Sequence, residues 1–172
     1  MPLILPAIGH IAFVLTGTTD SWEAVAILTD FFGQEDNRLG YQNTLVTEEE
    51  GELIGLAILY DGAHARALDL PLERAAVRKS GNPGYRIPTE PEPSDYYLDT
   101  LSVAPSHQGN GHGRRLIEAG GERARALGHH RLALLVEVES AAARRLYQRV
   151  GFRDEFIKWI EGHEYFYMVR SL

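Results

Sequence analysis

Three glycines fall within the six residues from Gln108 to Gly113, a run that reads Gln-Gly-Asn-Gly-His-Gly. A strand-like run from Tyr96 to Val103 precedes it, and Pro105 ends that strand. The apolar face of a helix follows, formed by Leu116, Ile117, Gly120, Ala124 and Leu127. Glycines let the main chain approach a ligand closely, and a helix start offers unpaired N–H groups at the positive end of its dipole. The run therefore predicts a strand-turn-helix unit whose turn binds a pyrophosphate.

Two nucleotide-binding motifs are absent from this turn. No Gly-Lys-Ser or Gly-Lys-Thr closes it, so it is not a Walker loop. Arg114 stands where the dinucleotide motif Gly-x-Gly-x-x-Gly, begun by Gly109 and Gly111, needs its third glycine. Taken alone, the turn is also compatible with a plain connection that binds nothing.

Apolar periodicity and turn residues predict the elements upstream of this unit. A helix is expected from Asp20 to Phe31, followed by an antiparallel hairpin of two β-rich runs, Thr44 to Thr47 and Leu53 to Tyr60. A second helix is expected from Asp69 to Lys79, with Pro71 in its first turn, where proline is tolerated.

Prolines and glycines crowd the run from Ser80 to Ser94, which predicts a long loop. Such a loop is either a surface insertion or a cover over a substrate. Tyr85, Tyr96 and Tyr97 lie in or beside it, so they either line an acceptor pocket or are packed amphipathic side chains.

The C-terminal part alternates strand and helix and ends in a hairpin. Arg131 to Val138 reads as a buried strand, and Ala143 to Val150 carries the apolar spacing of a helix. Phe152 to Ile160 and Glu164 to Val169 then predict the closing hairpin. The elements together indicate an α/β fold.

Size and composition indicate one domain spanning 1–172. The chain has 172 residues, 44% of them hydrophobic and 24% charged, as in ordinary globular proteins. It has no cysteine, which excludes disulfides, thiolate metal sites and a cysteine nucleophile, and which favours a reducing, cytoplasmic compartment.

Charge and hydropathy limit the partners. A net charge of −7 disfavours nucleic acid and mildly favours cationic small molecules or basic peptides. No apolar stretch reaches the ~20 residues needed to span a bilayer, so no membrane partner is expected. The apolar N-terminal run from Met1 to Leu15 has no basic n-region and is interrupted by Pro6, Gly9 and His10, so we interpret it as mature structure rather than a signal peptide. His129 and His130 are adjacent and diverge, and no His-Glu-x-x-His occurs, so no metal is expected.

Two ordered motifs resemble the GNAT family of N-acetyltransferases. Leu101-Ser102-Val103-Ala104-Pro105 followed by Gln108-x-x-Gly111-x-Gly113 is similar to the family's acetyl-CoA signature. Ala143-x-x-Leu146-Tyr147 with Val150-Gly151-Phe152 is similar to its second signature, at the usual distance. The resemblance covers Tyr96 to Phe152, which gives a cofactor-binding core of about 96–152. It implies a mixed, mostly antiparallel central sheet with a splayed parallel strand pair, flanked by helices on both faces.

The resemblance also implies how acetyl-CoA, the co-substrate, is held. The strand residues Leu101, Ser102 and Val103 would present main-chain groups to the acetyl and pantetheine portions. The pyrophosphate would be held by the turn and the residue after it, that is by Gln108, Gly109, Asn110, Gly111, His112, Gly113 and Arg114. Ser140 occupies the position where the family commonly has an asparagine that contacts pantetheine, and it is also a plausible helix cap.

Tyr147 fits the family's general acid, which protonates the departing CoA thiolate; otherwise it is an aromatic on the buried face of a helix. The base is less defined, because Leu135 stands where some relatives carry a glutamate. Asp99 is the first candidate, with Glu137 and Glu139 behind it. Asp99 is equally compatible with a structural ion pair to arginine, and a chain of waters is a further route for the proton.

The predicted function is therefore an N-acetyltransferase that moves an acetyl group from acetyl-CoA to a primary amine of a small molecule or peptide. A non-catalytic acyl-CoA sensing module is the main alternative, favoured by Leu135 and Ser140. A plain α/β interaction domain whose glycines are structural is the third. Relatives of this kind often pair, so a homodimer is an expectation as well.

Overall fold

The structure, a computed structural model, describes residues 11–172 of the chain. Residues 1–10 of the N-terminal run, which we interpret as mature structure, lie outside this range. The helices are α1 Ile11–Thr16, α2 Ser21–Phe32, α3 Ala65–Ser80, α4 His112–Ala126 and α5 Ala141–Arg149. The strands are β1 Thr44–Glu49, β2 Glu52–Asp61, β3 Tyr96–Val103, β4 Arg131–Glu137, β5 Arg153–Ile160 and β6 His163–Ser171. No helix among the described residues is both long and apolar enough to cross a membrane.

One six-stranded sheet, in the order β1-β2-β3-β4-β6-β5, forms the centre of the molecule. All neighbours are antiparallel except β3 and β4. These two parallel strands pair only at their beginnings, where Tyr96 lies opposite Leu132 and Tyr97 opposite Ala133. They separate beyond that point, so the second half of β3 has a free side. The mixed sheet with a splayed parallel pair is therefore confirmed.

Helices cover both faces of the sheet, because its strands carry apolar side chains on both sides. Helices α1, α2 and α3 pack on one face, in a core that includes Leu15, Leu28, Ile58, Leu72 and Tyr97. Helices α4 and α5 lie on the other face, in a core that includes Leu98, Leu116, Ile117, Leu134 and Phe152. Because helices cover both faces of the sheet, the free side of β3 lies between two layers of helices and not in open solvent.

A β-bulge in β3 changes which side chains face α4. Leu98 lies opposite Leu59 and Thr100 opposite Ile58, so Asp99 is an extra residue with no partner of its own on β2. Residues directly opposite one another share a face, which places Thr100 with Ile58 on the α1–α3 side. The bulge therefore turns Leu101, and with it Val103, towards the α4 side.

Helix α3 differs from the sequence prediction at its beginning. It starts at Ala65, so Pro71 lies inside the helix rather than in its first turn. A proline there removes one N–H donor and disturbs the carbonyls of the preceding turn. One of these carbonyls is satisfied from outside the helix, because the N–H of Arg38 donates to the Leu68 oxygen at 3.2 Å. The tertiary contact stabilises a helix that the local sequence disfavours.

The loop after α3 is fastened to the body of the protein. The Tyr85 hydroxyl donates to the Val14 carbonyl, and the Ile87 N–H donates to Glu73 Oε1 at 2.8 Å. Lys158 on β5 donates to the Glu90 carbonyl at 2.8 Å. Tyr97, 1% exposed, donates to Glu90 Oε2 at 2.7 Å. Tyr85 and Tyr97 are therefore packed side chains that hold the loop.

Candidate active site

A cavity of about 650 Å³ opens where β3 separates from β4. Its walls come from the end of β3, the glycine-rich turn, the start of α4 and the face of α5. The lining residues are Leu101, Val103, His107, Gln108, Gly109, Gly111, His112, Gly113, Arg114, Ala142, Ala143, Leu146, Tyr147, Arg149 and Val150. Two segments about thirty residues apart in sequence thus form one site.

The turn presents a row of free donors to this cavity. Within the described residues, no acceptor takes a hydrogen bond from the main-chain N–H groups between Gly109 and Arg114. Gly111 caps α4 in the left-handed conformation, with φ of 82°, and provides no side-chain cap. Unpaired N–H groups at a helix start, joined to the positive end of the helix dipole, form an anion-binding site.

The strand beside the turn presents further main-chain groups. The Ala104 N–H donates to the Ile54 carbonyl on β2 at 2.8 Å. Because successive residues of an extended strand point their main-chain groups to alternate sides, those of Val103 and Leu101 point into the gap left by β4. The Gln108 side chain closes the end of this gap, since its Nε2 donates to the Val103 carbonyl at 3.0 Å.

Tyr147 lies on the wall opposite the turn. Its ring packs edge-on against Phe152, with the ring centroids 5.8 Å apart. Burial raises the pKa of Tyr147 to about 12. Its hydroxyl makes no hydrogen bond to residues 11–172, so a protonated phenol with a free donor lines the cavity. Such a group can give a proton to a leaving group.

The other predicted cofactor residues are distributed as follows. His112 is 7% exposed, and its Nδ1 lies 3.1 Å from Arg115 Nη2, whereas Arg114 is exposed at the rim. Ser102 and Asn110 lie next to lining residues but are not in the wall. Ser140 precedes α5, makes no side-chain capping bond, and also lies outside the wall. Apart from Tyr147, we did not predict from the sequence that residues of α5 line the cavity. Their helical spacing was the signal that could have identified them.

Asp99 lies on the opposite face of β3 from the cavity, in a buried cluster of charges. Its Oδ2 accepts from Arg38 Nε and from the Tyr60 hydroxyl, both at 2.8 Å, and its Oδ1 accepts from Thr100 at 2.8 Å. Arg38, which is 1% exposed, also donates to Asp69 at 3.2 Å and to Glu90 at 2.6 Å. Three carboxylates therefore share one guanidinium beside the bulge.

Arg38 was not anticipated from the sequence, because no local pattern marks a partner 61 residues from Asp99. Burial lowers the pKa of Arg38, but Asp99 and Glu90 outweigh this effect and hold it well above its ordinary value. The side chain is therefore a permanent cation. The other base candidates lie at and just beyond the end of β4, where the Tyr165 hydroxyl donates to Glu137 Oε1 at 3.5 Å and Glu139 is exposed.

A splayed parallel pair, a donor-rich helix start and a phenol thus line one cavity. The chain belongs to the acetyltransferase (GNAT) family, whose model matches residues 12–152. Acetyl-CoA is the co-substrate of that family.

Individual relatives agree with this assignment. An L-methionine sulfoximine/L-methionine sulfone acetyltransferase of Salmonella typhimurium is 30% identical over 135 residues, which cover 74% of this chain and 64% of that protein. The chain thus spans less than two thirds of that relative's length. A solved acetyltransferase is 30% identical, with a TM-score of 0.77 over 98% of this chain and 90% of its own. An N-acetyltransferase from Staphylococcus aureus Mu50, 21% identical, has the same fold, with a TM-score of 0.70 over 92% of this chain and 90% of its own.

Proposed function

We propose that the protein transfers the acetyl group of acetyl-CoA to a primary amine of a small molecule or peptide by direct attack of the amine on the thioester. The observation that carries the proposal is the pairing, across one cavity, of the free N–H groups from Gly109 to Arg114 with the Tyr147 hydroxyl. The first feature suits the pyrophosphate, and the second suits the departing thiolate.

The residues divide the work in the following way. Main-chain N–H groups of Leu101 and Val103 face the gap, where they can hold pantetheine and stabilise the oxyanion that develops on the thioester carbonyl. The amine nitrogen bonds to the carbonyl carbon while the carbon–sulfur bond breaks. Tyr147 donates its proton to the sulfur and recovers one from solvent.

The proton of the acceptor ammonium needs a separate route, and we keep Asp99 as the group that serves it. Asp99 accepts hydrogen bonds from Arg38, Tyr60 and Thr100, which hold its carboxylate in one position on β3. Asp99 lies on the face of β3 opposite the cavity, so in this proposal it serves the ammonium through a chain of waters and not by direct contact. Glu137 and Glu139 are the alternative groups for this role.

The amine itself is best sought in a panel. The Salmonella typhimurium relative is named for L-methionine sulfoximine and L-methionine sulfone, so both belong in the panel beside polyamines, aminoglycosides and peptide N-termini. The homodimer, the cytoplasmic location and the lack of a nucleic-acid partner stay predictions. Light scattering of the intact chain tests the first of these.

The test of the proposed function is a measurement of CoA release with that panel. The Tyr147→Phe variant should lose about 100-fold in kcat, the usual contribution of a general acid, while its Kd for CoA stays within twofold. Tyr41→Phe removes a hydroxyl from an exposed tyrosine that does not line the cavity and is the matched control. Retention of kcat within twofold by Tyr147→Phe contradicts the acid role, and acetyl-CoA binding without turnover of any amine supports the sensing module instead.

A further inference from the structure

Arg170, near the end of β6, is a buried cation that contacts both helices of the cavity wall. It is 8% exposed. Its Nη1 donates to Glu118 Oε1 on α4 at 3.1 Å and to the Val150 carbonyl at the end of α5, also at 3.1 Å. The guanidinium carbon lies 5.7 Å from the centre of the Phe152 ring. One side chain thus links α4, α5 and the residue against which Tyr147 packs.

Two glycines leave the space that this side chain occupies. A Cβ on Gly121, in the middle of α4, would lie 2.4 Å from Arg170 Nη2, and one on Gly151 would lie 3.3 Å from its Cδ. Glycine in a helix interior costs about 1 kcal/mol relative to alanine. The room for the guanidinium therefore accounts for a glycine that helix stability alone disfavours.

Stability alone does not explain the arginine either. Nε and Nη2 of Arg170 are buried with no hydrogen-bond partner among the described residues, and Glu118, the paired carboxylate, is 45% exposed. Unsatisfied buried donors are unfavourable, and apolar residues of similar volume often replace buried ion pairs without loss of stability. An arginine whose role is to position neighbouring helices is consistent with both facts.

Helix α5 is the element that needs to be positioned. The helix has nine residues, and none of their side chains is fully buried, although Ala143 and Tyr147 pack partly buried against the core, so its position depends on a few tertiary contacts. Arg144 on α5 pairs with Asp154 and lies over Phe166, while Arg170 holds the last carbonyl of the helix. A cation at a helix C-terminus also interacts favourably with the helix dipole.

We propose that Arg170 is a positioning residue for Tyr147: it fixes the distance between the α4 wall, which holds the pyrophosphate, and the α5 wall, which carries the phenol. The proposal rests on the proposed function, because it assumes that Tyr147 is the general acid. It makes no claim that Arg170 touches either substrate.

The test is a double-mutant cycle on kcat and on the KM for acetyl-CoA. Arg170→Met should lower kcat about tenfold and change that KM less than threefold, because the turn that binds the pyrophosphate is intact. In the Tyr147→Phe background the same substitution should change kcat less than twofold. Arg170→Lys, which can still reach an acceptor, should recover at least half of the loss.

Controls separate positioning from general damage. Arg131→Met removes another ion-paired arginine of the sheet, whose partners Asp95 and Glu155 lie outside α5, and it should leave kcat within twofold in both backgrounds. If Arg170→Met does not fold, Glu118→Gln takes its place, with an expected two- to threefold loss confined to the parent background. Equal losses in both backgrounds, or no loss, overturn the positioning role and leave the acid role intact. An unchanged kcat in Tyr147→Phe alone overturns the acid role first.

Discussion

Gly111 and Gly128 stand at opposite ends of α4 in the same left-handed conformation, with φ of 82° and 87°. A Cβ at either position would meet nothing within 4 Å. An alanine at either site therefore introduces backbone strain of about 1–2 kcal/mol and no steric clash. The two positions differ in one respect, since only Gly111 adjoins the row of free N–H groups.

This pair gives a matched test of the anion site. Gly111→Ala and Gly128→Ala should lower the free energy of unfolding by similar amounts, about 1 kcal/mol. Gly111→Ala should in addition raise the Kd for acetyl-CoA about fivefold to tenfold, because relief of the strain displaces the donors from Gly109 to Arg114. Calorimetric titration of both variants checks this, and equal Kd values would contradict the placement of the pyrophosphate.

At the scale of elements, the 81–95 loop depends on α3. Glu73, 4% exposed, accepts from Arg66 Nη2 through Oε2 and from the Ile87 N–H through Oε1, each at 2.8 Å. The bond to Arg66, with that to Ile87, lowers the pKa of Glu73 in spite of its burial, so the acceptor stays ionised. This carboxylate holds the loop near Arg86, an exposed residue after which trypsin can cut.

Loss of that acceptor should release the loop locally. Glu73→Ala should speed tryptic cleavage after Arg86 roughly tenfold, since loss of a hydrogen bond to a charged group destabilises the closed loop by about 1.5 kcal/mol. Mass spectrometry of timed digests measures the rate. Glu73→Gln, which retains an oxygen acceptor, is the control and should change the rate less. Faster cleavage at every site would indicate global unfolding and count against the local role.

At the scale of the whole molecule, the charge cluster joins parts of the chain that are distant in sequence. Arg38 follows α2, and its partners Asp69, Glu90 and Asp99 belong to α3, the loop and β3. Burial, only partly offset by Arg38, raises the pKa of Asp69 to about 6. The folded protein therefore binds this proton more tightly than the unfolded chain, in which an aspartate titrates near ~3.9.

This shift makes stability depend on pH in a defined direction. The stabilisation that protonated Asp69 contributes is complete below pH ~4 and is lost as the pH rises through about 6. Between pH 5 and pH 8, the free energy of unfolding of the parent protein should therefore fall by roughly 1 kcal/mol more than that of Asp69→Asn. Urea denaturation at both pH values measures this difference. Asp30→Asn, at an exposed carboxylate, should show no such change, and a pH-independent difference for Asp69→Asn would exclude the shift.

Local sequence patterns predicted most of the elements and one half of the site. Apolar periodicity and turn residues predicted β3 at its observed bounds, and the glycine run predicted the donor-rich turn, because both depend on residues close together in the chain. The second motif indicated Tyr147 in the same way. Its role, like that of Asp99, stays a prediction.

Tertiary structure decided what depends on residues far apart. The start of α3 before Pro71 is accompanied by a hydrogen bond from the distant Arg38 N–H, and the direction of Leu101 depends on a bulge whose register is set by β2. The buried partners of Asp99 and the link from Arg170 to the end of α5 have no local signature either. Hydrogen bonds and ion pairs between distant residues arise only when the chain packs, so they leave no period or spacing in the sequence.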